Sequence, residues 1–135
     1  MNTLLVDGYN IIHALPEFRK LLDSKLSDAR AALIHSLGRL AAAKKGNVTI
    51  HVFFDAKKTP DFLGDSEPHL AGVEVHFSEG QNADEAMLDF LHRFPNLAEV
   101  TVVTNDVGLA RRARDEGAMT LSSAGLAHRL AKINP

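Results

Sequence analysis

The sequence predicts an α/β fold in which helices cover a parallel sheet. Two observations predict it. Short apolar runs alternate along the chain with helical patterns, as in proteins built from strand–helix–strand units. In addition, the first, second and fourth of these runs are nearly continuous in Val, Ile, Leu and Phe, which is typical of parallel strands buried on both faces.

Local sequence patterns predict the individual strands and helices. The predicted strands, of which the last is the weakest, are Thr3–Val6, Val48–Phe54, Val73–Phe77, Val100–Thr104 and Ala118–Leu121. The clearest helix is Ser27–Lys45, with Ser27 as its N-cap, an apolar stripe of alanine and leucine, and Gly46 as its stop. The other predicted helices are a short Glu17–Leu22, Ala83–Phe94 before Pro95, Val107–Glu116 before Gly117, and Ser122–Lys132. Residues 56–71 show no periodic pattern and are expected to form a surface loop that either is mobile or faces substrate.

Composition sets the broad class of the protein. With 135 residues, 45% hydrophobic and 24% charged, the chain suits one domain, 1–135, with a sizeable core. Because there is no cysteine, disulfide scaffolds and thiolate metal sites are excluded, and a reducing, cytoplasmic location is expected. We find no signal-peptide pattern and no apolar run of the roughly 18 residues that a membrane span needs, so no membrane partner is expected. The net charge of −2 means that a nucleic acid would have to meet a local basic patch.

Aspartates end three of the apolar runs. The first run ends "LLVD" at Asp7, the second "VFFD" at Asp55 and the fourth "VVTND" at Asp106, while Asp84 and Glu85 open the helix after the third strand. Ligands of open α/β sheets bind outside the carboxyl ends of the strands, and neighbouring strands lie only about 4.8 Å apart. If the three strands are adjacent, these carboxylates converge at one edge.

Carboxylates gathered in this way repel one another. Two like charges 4 Å apart cost on the order of 4 kcal/mol at an effective dielectric constant of about 20, so that either some are protonated or a cation is bound. Oxygen ligands without cysteine or paired-histidine spacing select Mg²⁺ or Mn²⁺. A site of this kind suits metal-assisted hydrolysis of a phosphodiester by an activated water.

A structural alternative exists for each aspartate. Asp84 and Asp106 each precede or open a helix and, taken singly, fit N-terminal caps, and Asp7 before Gly8 could be a turn residue. The joint pattern of three strand ends and one helix start favours a shared acidic site.

Four segments resemble the NYN-domain proteins of the YacP-like branch, in the PIN-like ribonuclease superfamily. They are "LLVDGYNIIHA", "FFDA", "FSEGQNADE" and "VVTNDVGLARRARDEGA", in order over nearly the whole chain. The resemblance implies a three-layer α/β/α, Rossmann-like fold with a five-stranded, mainly parallel sheet of order 3-2-1-4-5. It also implies cleavage of RNA, expected to be single-stranded and cut endonucleolytically, with Mg²⁺ or Mn²⁺. PIN-like domains often pair, so a homodimer is one option by analogy, and the oligomeric state is left open.

Carried over by position, the resemblance assigns Asp7, Asp84 and Asp106 to the acidic metal site, with Asn10 as a further catalytic residue. Asp55 sits where many members carry another acid. One departure is that many PIN nucleases have an acid on an early helix, whereas this chain has His35 in the middle of "LIHSLGRL". Asp55, Asn10 or Glu85 could fill that role.

Six residues are predicted to contact substrate, each with a structural alternative. They are Asn10, Thr104, Asn105, Lys57, Lys58 and Arg111. Asn10 could instead close an Asx-turn, Thr104 and Asn105 fit ordinary strand-end chemistry, and Arg111 fits a solvated helix face. Cations at Lys57 and Lys58 would draw in a phosphate backbone that the carboxylates repel. Tyr9 is expected to pack inside, and the seven histidines to be structural, with His13 after the D-G-Y-N turn as the exception.

Three other functions compete with a ribonuclease. A receiver-type phospho-acceptor domain needs an acidic pair after the first strand and a lysine after the fifth, where this chain has Gly8 and "SSAG". A haloacid-dehalogenase-like phosphatase needs D-x-D, but position 9 is tyrosine. An RNA-binding module of the same fold with an incomplete acidic site remains the stronger alternative.

Overall fold

Five parallel strands form one sheet. The computed structural model describes residues 2–58, 72–78 and 81–133. Its strands are β1 (Asn2–Asp7), β2 (Val48–Phe54), β3 (Val73–Phe77), β4 (Val100–Val103) and β5 (Met119–Leu121). Their order is β3-β2-β1-β4-β5 and every pairing is parallel, which confirms the predicted fold and puts the three aspartate-ended strands side by side.

Helices connect the strands. Those of the described residues are α1 (Gly8–Ala14), α2 (Pro16–Arg19), α3 (Leu26–Ala43), α4 (Ala83–Leu91), α5 (Val107–Glu116) and α6 (Ser123–Ile133). Short 3₁₀ turns occupy Lys20–Asp23, Ala56–Lys58 and Leu97–Glu99. No helix within the described ranges combines the length and apolar character needed to cross a membrane.

Alternate residues of β1 and β2 supply two separate cores. Leu4, Val6 and Phe54 belong to the core shared with α1, α3 and α6, whereas Leu5 and Phe53 belong to the core shared with α4 and α5. Because side chains alternate along a strand, Asp7 is in phase with Leu5. It therefore points to the side of the sheet that α4 and α5 cover.

Several element boundaries differ from the sequence prediction. Helix α1 was not predicted; it starts directly after β1, where Gly8 lies against β2. Ser27 is not an N-cap, because α3 begins at Leu26 with Lys25 in the cap position, which leaves Ser27 inside the first turn. Helix α4 ends at Leu91, three residues before the predicted end.

The expected loop 56–71 is described only in part. Its first three residues form the 3₁₀ turn Ala56–Lys58, and residues 59–71 lie outside the described residues.

Candidate active site

A cleft of about 430 Å³ opens at the carboxyl edge of the sheet. Its lining includes all four predicted metal-site aspartates, Asp7, Asp55, Asp84 and Asp106. Tyr9, Asn10, His13, Lys58 and Asn82 also line it. The fold thus brings carboxylates from four separate parts of the chain to one cavity.

Asp7 is buried and is hydrogen-bonded to Thr104, the residue directly after β4. It occupies the N-cap position of α1, yet its side chain makes no capping hydrogen bond. Instead, its Oδ2 accepts a hydrogen bond from Thr104 Oγ1 at 2.8 Å. A simple turn or cap does not account for this carboxylate.

The two helix-start aspartates differ from each other. Asp106 is the N-cap of α5, since its Oδ1 accepts from the Leu109 N–H at 3.0 Å, and it lines the cleft as well. Asp84 does not cap α4; Asn82 does, accepting from the Glu85 N–H at 2.8 Å. The capping alternative therefore describes Asp106 and fails for Asp84.

Thr104 connects the cleft to the end of β4. Besides donating to Asp7, its hydroxyl oxygen accepts from the Asp106 N–H at 3.0 Å and lies 3.4 Å from Asn10 Oδ1. Asn10 Oδ1 in turn accepts from the Asn105 N–H at 2.8 Å. Asn10 Oδ1 thus joins α1 to the segment after β4, in place of the Asx-turn that was its structural alternative.

Asn105 faces α6. Its Nδ2 donates to Ser123 Oγ at 2.7 Å, and its Oδ1 accepts from the Ser123 N–H at 2.8 Å. Neither Asn105 nor Thr104 is part of the cleft lining. Their hydrogen bonds instead fix the segment that follows β4 against β1, α1 and α6. Contact with substrate stays a prediction for them.

Two cations act on the carboxylates. Lys58 lines the cleft, whereas Lys57 does not; the Lys57 N–H donates to Asp55 Oδ1 at 2.9 Å. The charge of Lys58, followed by that of Arg112 on α5, lowers the pKa of Asp84. Contact of Arg111 with substrate stays a prediction.

Burial and mutual repulsion disfavour the charged carboxylates. The pKa of Asp7 is raised to about 6, chiefly by burial. The hydrogen bond from Thr104 lowers this pKa, whereas the charges of Asp84 and Asp106 raise it. Burial, followed by the charge of Asp106, also raises the pKa of Asp84. A cation bound between these two carboxylates would offset the cost of their ionisation.

The comparison with family models decides the identity. Residues 4–135 match the model of the YacP-like NYN domain. The chain belongs to this family. The membership confirms the resemblance seen in the sequence and puts the chain in the PIN-like nuclease superfamily.

Relatives of this NYN domain come from Bacillus subtilis. The curated protein YacP of strain 168, described as uncharacterized, is 34% identical over 108 residues, which cover 78% of this chain. The matched region spans 61% of that relative's own length. Two crystal structures of Rae1 (YacP), one of a mutant, superpose with TM-scores of 0.82 and 0.80 at 29% and 28% identity. Each match covers 98% of this chain, and 75% and 76% of the respective Rae1 chains.

The NYN domain also brings together three side chains that the sequence analysis did not connect. His51 on β2 and Glu74 and His76 on β3 place one nitrogen or oxygen atom each within 4.8 Å of the others. Burial lowers the pKa of both histidines. None of the three lines the aspartate cleft.

Thr104→Val is expected to raise the pKa of Asp7 above about 6, because the substitution removes the hydrogen bond that favours the charged carboxylate. A hydrogen bond to a charged group contributes about 1.5 kcal/mol, which corresponds to a shift of about one unit in the pKa of Asp7. The measurement is a pH titration of the Asp7 carboxyl carbon by NMR.

Thr101→Val, three residues earlier within β4, serves as the control and should leave that titration unchanged. An unaltered or lower pKa in Thr104→Val would show that the hydroxyl does not stabilise the carboxylate.

Proposed function

We propose that this NYN domain is a ribonuclease that uses Mg²⁺ or Mn²⁺ and cleaves single-stranded RNA endonucleolytically. The observation that supports this proposal most strongly is the convergence of Asp7, Asp55, Asp84 and Asp106 on one cleft. Family membership supports it independently, since the nuclease superfamily sets the expected class of reaction.

The donor atoms fit a hard divalent cation. Four carboxylates offer oxygen ligands, and their excess negative charge is what such an ion would neutralise. Asp7, Asp84 and Asp106 would hold the ion, with Asp55 at the end of β2 as a further ligand. When bound, the ion would lower the pKa of water in the cleft and offset negative charge on the phosphate.

The chain's own residues then position the substrate. Lys58 is the cation in the cleft lining, and it would attract a phosphate that the aspartates alone would repel. Asn10 Oδ1 already accepts a hydrogen bond from the Asn105 N–H. Its amide N–H₂ group would therefore be the part that donates to a phosphate oxygen. The Thr104 hydroxyl fixes the orientation of the Asp7 carboxylate and acts as a positioning group.

The activity test uses a 5′-labelled single-stranded RNA with Mg²⁺ or Mn²⁺. Cleavage should require the metal, stop on addition of EDTA, and fall by about 100-fold or more in Asp106→Asn. Asparagine is also a good N-cap, so that α5 should remain intact. Asp115→Asn on the same helix is the matched control and should cleave like the wild type.

The alternative of an RNA-binding module has one observation in its favour. Helix α3 contributes Leu26, and no carboxylate of its own, to the described lining of the cleft, so the early-helix acid of many PIN nucleases has no counterpart there. Retention of RNA without cleavage, unchanged by EDTA, would support this module and overturn the ribonuclease.

A further inference from the structure

A second group of potential metal ligands lies at the outer edge of the sheet. His51 on β2 pairs in register with Glu74 on β3, and His76 follows two residues later on the same face. His51 Nδ1 lies 3.0 Å from His76 Nε2 and 3.0 Å from Glu74 Oε2, and the last two atoms are 3.8 Å apart.

These separations lie within a few tenths of an ångström of those between ligands around a small tetrahedral ion. Zinc bonds of about 2.0–2.2 Å to nitrogen and oxygen place adjacent tetrahedral ligands about 3.3–3.6 Å apart, and the three distances scatter around that range. We propose that His51, Glu74 and His76 form a Zn²⁺ site with an open fourth position. Two imidazoles and one carboxylate are a known ligand set for zinc and a poor one for Mg²⁺.

Ordinary hydrogen bonding accounts less well for the cluster. One ring N–H between the two histidines would satisfy their 3.0 Å contact. The Glu74 carboxylate, also 3.0 Å from the same nitrogen of His51, would then have to share that proton. An ion between the three atoms gives each of them a partner.

Aromatic packing holds the rings in place. The His76 ring stacks on Phe53 with centroids 4.6 Å apart, and the His51 ring packs on Phe90 at 4.7 Å. The His51 side chain is only 9% exposed, whereas those of His76 and Glu74 are 31% and 63% exposed. An ion can therefore enter from solvent on the Glu74 side and keep a water there.

The surrounding charges are mixed. Arg93, whose guanidinium lies 4.7 Å from the Phe90 ring centroid, acts on both histidines and opposes a cation. Asp89 and Arg93 line the same neighbouring cleft of about 390 Å³ together with His76. Removal of the Arg93 charge should consequently tighten binding of Zn²⁺.

The site is separate from the aspartate cleft. His51 precedes Asp55 by four residues, about 13 Å along an extended strand, and the two clusters share no residue. Among the strands that the structure describes, β3 pairs only with β2. A bound ion would therefore fasten this edge strand to its described neighbour.

The test measures Zn²⁺ affinity of the full chain by competition with a chromophoric chelator. We expect one zinc per chain at this site, a loss of affinity of tenfold or more in His76→Gln and in Glu74→Gln, and no change in His128→Gln, the exposed control. Asp106→Asn should keep the site. Arg93→Gln should bind Zn²⁺ several-fold more tightly, a gain that misfolding cannot imitate.

Crystals soaked in Zn²⁺ provide the second readout. An anomalous peak bonded to His51, Glu74 and His76 would support the proposal. It would be overturned by a peak confined to the aspartate cleft, by unchanged affinity in His76→Gln, or by failure of the wild type to take zinc from the chelator.

Discussion

Asp7→Asn is expected to abolish RNA cleavage and, at the same time, to make the metal-free protein more stable at neutral pH. The loss of activity, about 100-fold or more, follows from removal of a carboxylate at the centre of the cleft. The gain in stability follows from the pKa of Asp7, which burial raises to about 6 from an ordinary value of 3.8. The amide can still accept the hydrogen bond from Thr104.

The sign of the pH dependence follows from proton binding. Because the folded state holds the Asp7 proton more tightly than the unfolded state, the protonated acid adds stability below about pH 4, and this contribution is lost as the pH rises through about 6. At pH 7 to 8 the charged carboxylate of the wild type lowers the free energy of unfolding by about 2 to 3 kcal/mol. The free energy of unfolding of Asp7→Asn should exceed that of the wild type by about this amount, and the difference should vanish near pH 4.

Chemical denaturation in EDTA at several pH values measures this difference, with Asp115→Asn as the control. Addition of Mg²⁺ should reverse the order, because an ion that binds only the folded state stabilises the protein that has the carboxylate. Equal stabilities at pH 7.5, or a variant that still cleaves RNA, would contradict the role given to Asp7.

Gly8→Ala is expected to lower the free energy of unfolding by about 3 kcal/mol. A Cβ atom on Gly8 would lie 2.4 Å from Phe54 Cε1 and 2.8 Å from the carbonyl oxygen of Phe53. Rotation of the Phe54 ring could relieve the first contact, but the second is with the backbone of a central strand. Helix α1 would have to move away from β2 and displace Tyr9, whose ring centroid lies 4.9 Å from that of Phe54.

Urea denaturation is the measurement, and Gly108→Ala is the comparison. Among the described residues, an added methyl group at Gly108 meets only Asp106 Oδ1, at 3.3 Å. Because alanine is also the better helix former, the free energy of unfolding should change by less than about 1 kcal/mol. If both variants were equally stable, the close approach of α1 to β2 would not constrain position 8.

The acidic cleft could be predicted because its geometry follows from chain order and strand type. Three apolar runs end in Asp7, Asp55 and Asp106, and parallel neighbours bring such ends together. Helix α1 could not be predicted in the same way, since "DGYN" carries the residues of a turn. Tertiary burial of Ile11 and Ile12 overrides that local preference.

The histidine cluster was missed for a different reason. Spacing along the chain reveals ligands on one helix or turn, but His51 and Glu74 lie on separate strands and meet only through the register of β2 and β3. The signal present in the sequence was the alternation of Glu74 and His76, which places both on one face of a strand. Without the register, that alternation predicts nothing about His51.

The central position of β1 has a consequence for synthesis of the chain. Of the five described strands, β1 is the earliest in the chain, yet one of its two neighbours, β4, begins only at Val100. A ribosome-bound fragment therefore exposes an unpaired, apolar β1 edge until β4 has emerged. Open edges of this kind invite association with other chains. Fragments that stop before β4 should therefore aggregate, and none of them can hold Asp7 and Asp106 in the same cavity.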